Sequence, residues 1–200
     1  MIAKRIFDFV VASLLLVLTA PIWFVIILGI LYYSPGPVLY RGLRAGRGGR
    51  TFRILKFRTM VIDAERKGGG TTALNDCRIF PFGLQLRYTK LDELPQLLNV
   101  LSGEMSLVGP RPELTVYTDR YTAEERLILS VRPGITDYSS IRFSSLDEIV
   151  GNRDADRVFE EKVLPEKNQL RLKYVRDRSF CGDLHIMGLT VYCVFRKIIH

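Results

Sequence analysis

Histidine is nearly missing from this chain: His185 and His200, the last residue, are the only two in 200 positions. That scarcity argues against a Ser/His/Asp triad and against a histidine-rich metal site. Cysteine is sparse as well. Cys77, Cys181 and Cys193 are odd in number, widely spaced and without a C-x-x-C pair, which points to free thiols in a reducing, cytoplasmic compartment. There is no Walker A loop, because the Gly68 to Gly70 run lacks the following G-K-[ST] and reads as flexibility. No zinc-ligand spacing and no aromatic RNA-binding motif accompanies the basic residues, so a nucleic-acid partner is not expected. No internal repeat is found.

Charge is lacking over one long stretch. Residues 9 to 31, FVVASLLLVLTAPIWFVIILGIL, carry none. A helix over them would be about 34 Å long, enough for a hydrocarbon core of about 30 Å. Basic residues stand on both sides: Lys4 and Arg5 before it, and Arg41, Arg44, Arg47, Arg50, Arg53, Lys56 and Arg58 after it. Short Lys/Arg-rich flanks stay on the cytoplasmic side, so both ends are expected there. Pro21 offers a way out of the conflict. It removes a backbone donor, clashes with the preceding turn and biases Ala20 away from the α region, which predicts a kink. Ser13 and Thr19 can re-satisfy carbonyls freed nearby. Residues 1–33 are thus read as a re-entrant helix that dips into one leaflet and returns. A kinked span and a cleaved signal peptide are the alternatives; the run exceeds a usual h-region of about 7 to 15 residues, and no A-x-A-like site precedes Tyr32.

Residues 34–200 are expected to form one cytoplasmic domain with its own core. Much of the net charge of +8 lies in the seven basic residues between Arg41 and Arg58, beside the bilayer. Each is worth about 1 kcal/mol near an anionic leaflet. Ser34-Pro-Gly-Pro37 ends the membrane segment. VLYRGLR and TFRILKFRTM flank the glycine-rich AGRGGR and predict a β-hairpin with Lys56 on its second strand. Residues 67 to 75 read as a mobile loop. Leu94, Leu97, Leu98 and Leu101 predict a helix of about ten residues beginning near Asp92, with Pro95 in its first turn and a stop at Ser102-Gly103. MSLVG predicts a short strand, Thr122 to Val131 a short helix, and Arg132-Pro-Gly134 a type II turn. From Asp183, the residues Met187, Val191, Val194, Phe195 and Ile198 form the stripe of an amphipathic helix, read as packing on the domain rather than on lipid. The expected fold class is α+β, mainly helical: a proline-kinked re-entrant membrane helix, a short β-hairpin and a small cytoplasmic catalytic domain with amphipathic interfacial helices.

Asp92 and Glu93 stand where a helix is expected to begin, so their carboxylates meet its unpaired N–H groups. An N-cap explains Asp92 as well as catalysis does, and solvation is the simpler account of Glu93. The cations Lys56, Arg87 and Arg111 lie in segments expected to fold around the same helix, and carboxylates among arginines suggest phosphate chemistry. Arg111 is held between Pro110 and Pro112, a stiff support suited to a phosphate oxygen, though a surface arginine in a proline turn fits equally. For Arg87 a salt bridge is the alternative. Two carboxylates can also hold Mg²⁺, which commonly takes one or two carboxylates plus substrate phosphates.

At these residues the sequence resembles a known family. Lys56-Phe-Arg-Thr-Met60, Leu91-Asp-Glu-Leu-Pro-Gln-Leu97, Asn99-Val100, Gly103-Glu-Met-Ser106, Val108-Gly-Pro-Arg-Pro112 and Arg132-Pro-Gly-Ile-Thr136 are similar, in order over nearly the whole chain, to the bacterial sugar transferases. These are small monotopic phosphoglycosyl transferases. The resemblance implies a membrane enzyme on the cytoplasmic face of the bacterial inner membrane that uses a nucleotide diphosphate sugar, usually a UDP-sugar, Mg²⁺ and undecaprenyl phosphate. It implies that Asp92 is the nucleophile that releases UMP and holds a phosphosugar covalently, that Glu93 positions Mg²⁺ or phosphate, and that Lys56, Arg87 and Arg111 are active-site cations. One departure stands out. After Thr136 the chain reads Asp137-Tyr-Ser-Ser-Ile-Arg-Phe143 where many relatives carry G-[WL]-A-Q-V-x-G-R. The phosphate-binding arginine of that pattern has no direct match, and Arg142 is the expected substitute. A homodimer is compatible with this reading, though no residue argues for it. The rival classes are a membrane-tethered basic module that binds anionic lipid or nucleic acid, and a lipid diphosphate phosphatase.

Overall fold

The computed structural model describes residues 2–64, 71–73, 75–151 and 153–199, without the side chain of Ile198. Most of the predicted loop at 67 to 75 therefore lies outside the described residues. Helix α1 (Ile2–Tyr33) holds the apolar run. It is long and apolar enough to cross a membrane by length and composition, with a mean hydropathy of 2.8 and 11% of its most apolar stretch buried. The helix continues through Pro21, and Ala20 remains helical. The pre-proline bias is therefore overridden here, because residues on both sides of Pro21 pack on one body. Thr19 Oγ1 donates to Leu15 O (2.7 Å) and accepts from Trp23 Nε1 (3.2 Å).

Both ends of α1 are gripped by the rest of the chain. Near the start, Lys4 Nζ donates to Asp183 Oδ2 (2.5 Å) and Val108 O (3.1 Å), and Arg5 caps the carbonyls of Val100 and Leu101 at 2.6 and 3.0 Å. Asp8, buried, accepts from Ser106 Oγ (2.7 Å) and Leu107 N (3.2 Å). Near the end, Ile26 and Ile30 enter a core with Phe57, Phe80 and Leu86. Arg58 then donates to Ser34 Oγ (2.6 Å), Pro37 O (2.5 Å) and Ser34 O. Arginine at helix-terminal carbonyls is favoured by the negative end of the dipole and by otherwise unpaired acceptors.

Strands β1 (Leu39–Ala45) and β2 (Thr51–Phe57) pair antiparallel, from Leu39 opposite Phe57 to Ala45 opposite Thr51. Gly48 (φ 68°) and Gly49 (φ 75°) supply the left-handed turn between them. Helix α2 (Pro81–Tyr88) leads through Lys90 into a 3-10 turn, Leu91–Glu93, and then α3 (Gln96–Ser102). The helix expected from Asp92 is thus two pieces, and it ends where predicted, at Gly103 (φ 87°). Strand β3 (Ser106–Val108) pairs parallel with β4 (Gly134–Thr136), with α4 (Thr115–Thr118) and a 3-10 segment, Glu125–Ser130, between them. Gly134 does not have the positive φ of a type II turn; it is small because a Cβ there would lie 2.1 Å from Gly109 N.

Helices α5 (Tyr138–Arg142), α6 (Leu146–Val150) and α7 (Ala155–Val158) are short. A π-helical turn, Phe159–Val163, then runs into α8 (Leu164–Asp177), with Pro165 in its first turn. In α9 (Phe180–Ile199) the face on the domain carries Asp183, Ile186 and Met187, whereas Val191 and Phe195 are exposed together with Leu184, Tyr192 and Ile199. The predicted stripe is therefore divided. Its first turns pack on the domain, and a second apolar face points outward.

Candidate active site

Lys90 makes the turn that presents the two carboxylates. Its left-handed backbone (φ 60°, ψ 13°) reverses the chain between α2 and the Leu91–Glu93 turn, a conformation that costs a non-glycine residue about 1–3 kcal/mol. Asp92 is 6% exposed, and its Oδ1 is buried without a hydrogen-bond partner. It caps nothing: neither the 3-10 turn nor α3 has a side-chain cap. The capping alternative for Asp92 is not realised. Burial raises its pKa above the usual aspartate value, against the pull of Lys56.

Glu93 is in the opposite state. Its Oε1 accepts from Lys56 Nζ (3.0 Å) and from Arg111 Nη2. Burial works to raise its pKa, but Arg111, Lys56 and Lys90 outweigh it and hold the carboxyl well below the normal range. Glu93 is therefore an ionised strut between two cations, not a solvated side chain.

Arg111 is supported from several sides. Its Nη1 donates to Ile135 O (2.6 Å) and its backbone N to Asp137 Oδ2 (3.2 Å). The parallel β3–β4 pair and the close contact of Gly109 with Gly134 bring the Pro110–Pro112 turn beside these partners. Asp137 is fully buried; it accepts from Ser139 Oγ (2.8 Å), Ser140 N (2.7 Å) and Ser140 Oγ (2.7 Å) and so caps α5. Arg87 forms no salt bridge with Asp92. It donates instead to Thr72 Oγ1 (2.7 Å) and Thr59 Oγ1 (3.4 Å).

Part of this group opens on a cavity of about 1120 Å³, which Asp92 and Asp137 do not line. Lys56, Arg87, Lys90, Glu93 and Arg111 are among its lining residues, and Asp92 lies buried directly before Glu93 in the chain. Leu15 of α1 and Met187, Val191 and Val194 of α9 line its apolar side. Arg142 lies elsewhere. Its side chain is 62% exposed, pairs with Glu166 (3.2 Å) and is not among the cavity residues, so its expected phosphate role gains no geometric support. Lys90, Asp137 and Lys167 were not singled out from sequence. A left-handed lysine has no composition signal, and the other two owe their placement to long-range packing.

Among the described residues no cluster of three or more His, Cys, Asp or Glu could hold a metal. Two carboxylates nevertheless suit Mg²⁺ when substrate supplies the remaining oxygens, and the unpartnered Asp92 Oδ1 is a free ligand of the right kind.

The chain matches the family model described as bacterial sugar transferase over residues 1–197. It is 37% identical over 191 residues to the UDP-glucose:undecaprenyl-phosphate glucose-1-phosphate transferase of Caulobacter vibrioides, covering 94% of this chain and 68% of that protein. To the enzyme of the same name from Escherichia coli K12 it is 37% identical over 192 residues, 94% of this chain but 39% of the relative. A Bacillus subtilis protein named as a putative undecaprenyl-phosphate N-acetylgalactosaminyl 1-phosphate transferase is 41% identical over 121 residues, 60% of this chain and 68% of its own length. This chain spans about two-fifths of the length of the Escherichia coli relative. With a family match over nearly every residue, the chain belongs to the bacterial sugar transferases, a family of enzymes.

Proposed function

We propose that this protein transfers sugar 1-phosphate from a nucleotide diphosphate sugar, a UDP-sugar, to undecaprenyl phosphate. The observation that carries the reading is a buried aspartate oxygen without a partner, next in sequence to a glutamate clamped by a lysine and an arginine, these three lining a cavity that apolar residues of α1 and α9 also line. The names of the Caulobacter vibrioides and Escherichia coli relatives agree with it.

In this reading an Asp92 oxygen attacks the phosphorus nearest the sugar. The bond from that phosphorus to the bridging oxygen breaks, and UMP leaves with the electron pair. An oxygen of undecaprenyl phosphate then attacks the same phosphorus and expels Asp92, giving undecaprenyl-diphosphate-sugar. Both nucleophiles are anions, so neither step needs a histidine base. Lys56, Arg87 and Arg111 stabilise charge on the phosphoryl oxygens, and Glu93 keeps two of these cations in place. Asp92 and Glu93 would hold Mg²⁺, which when bound neutralises part of the diphosphate charge. The apolar wall from α1 and α9 suits the polyprenyl chain.

Residues 1–33 act here as a monotopic re-entrant anchor and residues 34–200 as the catalytic domain on the cytoplasmic face. The grip of one domain on both ends of α1 supports this, because a straight span would carry one end across the bilayer. The outward apolar faces of α1 and α9 would meet lipid, and exposed Arg41, Arg47, Arg50 and Arg53 would meet anionic headgroups. Held at that boundary, a soluble donor and a lipid acceptor lose little further freedom on meeting.

Asp92→Asn tests the chemistry. Transfer from UDP-sugar and UMP release should fall at least about a thousand-fold, and the phosphosugar adduct expected by intact-mass spectrometry with donor alone should vanish. An unlabelled wild-type enzyme with full turnover would overturn the covalent route.

A further inference from the structure

One cation lining the cavity is buried without a contact ion pair. Lys167, on the first turn of α8, is 8% exposed and lines the cavity, yet among the described residues it makes no hydrogen bond and no ion pair. Its ammonium rests on the face of Phe159, 4.9 Å from the ring centroid. Two carboxylates attract it from a distance, but Glu113 is committed to Arg171 at 3.0 Å and Asp137 to Ser139, Ser140 and the Arg111 backbone. A buried ammonium without a contact partner is costly, and an anion entering the cavity would offset that cost.

The π-helical turn puts Lys167 there. Eight residues separate it from Phe159, which in an unbroken α-helix leaves the two side chains about 80° apart. The wider turn at Phe159–Val163 reduces that angle and brings ring and ammonium together. Helix α5, which packs on α8, offers an anion little. Ser139 and Ser140 give their hydroxyl protons to Asp137, and Arg142 is turned to solvent against Glu166. Arg111, by contrast, is near enough to repel the Lys167 charge, and it also holds Glu93 beside Asp92.

We propose that Lys167 is an anion-binding residue of the donor site, holding the phosphate that departs with the nucleotide. This rests on the nucleotide-sugar reading above. In that reading Lys56 and Arg111 serve the phosphate under attack, and Lys167, which lines the same cavity, serves its neighbour.

The test is calorimetric titration of the full chain in lipid nanodiscs with UDP, and with uridine as a phosphate-free control. Lys167→Met should weaken UDP at least about ten-fold and leave uridine unchanged, while Lys167→Arg stays within about threefold of wild type. UDP binding to Lys167→Met within about twofold of wild type, or an equal loss for uridine, overturns the assignment and leaves the transferase reading standing. A wild-type chain that binds neither probe overturns both.

Discussion

Asp92 and Glu93 are neighbours in sequence with opposite electrostatics, and pH separates them. Asp92 has a raised pKa in the folded protein, so its carboxylate, the form the proposed chemistry uses, is lost before that of an ordinary aspartate as pH falls. The acid limb of kcat should therefore lie above pH 3.8, the usual aspartate value, in a pH–rate profile. Glu93 contributes in the other direction. Its depressed pKa gives stability that is present above the unfolded glutamate value and lost only as pH falls through the lower folded value. Lys167 is a third case. Burial pulls its pKa from 10.5 to about 8, so between those values the unfolded chain binds a proton that the folded chain has released. Wild-type stability should rise with pH across that window, and Lys167→Met should remove the rise. Below it, the same variant should be more stable by on the order of 1–3 kcal/mol in thermal melts, while binding donor less well.

At the scale of elements, the site depends on two backbones that approach more closely than side chains allow. Gly134 and Gly109 face each other where β3 and β4 begin and end their short pairing. Gly134→Ala places a methyl 2.1 Å from Gly109 N, so the strands must part and Arg111 loses Ile135 O. A loss of about 2–3 kcal/mol is expected by denaturant unfolding, with activity falling further than stability. The motif was visible in sequence, but its reason was not: Pro-Gly suggests a turn, whereas only the fold shows that Gly134 answers to a distant glycine. The Asp92 helix is similar. Leucine spacing gave its existence and Gly103 its end, yet the break at Leu94–Pro95 and the left-handed Lys90 accompany the packing of the Leu91–Glu93 turn on α2 and β2.

Across the whole molecule, α1 is a structural part of the domain as well as an apolar helix. Lys4, Asp8 and Arg5 tie its start to β3, α3 and α9, and Arg58 ties its end to β2. Cysteines introduced at Ile2 and Arg47, both exposed, in a chain whose native cysteines are serine should react with an impermeant thiol reagent from the same side. Labelling from opposite sides would overturn the re-entrant reading. The chain's order alone determined the apolar helix with its basic flanks, the mainly helical α+β class, the two strands around the glycine turn and the identity of the motif residues, because each is a local pattern of hydropathy, turn chemistry or spacing. Tertiary structure decided that Glu93 is clamped by Lys56 and Arg111, that Asp92 is left unpartnered, that Arg142 faces solvent and that Lys167 faces the cavity. Those outcomes join residues 18 to 37 or more positions apart. Desolvation and ion pairing at such separations are properties of packing, which no local pattern encodes.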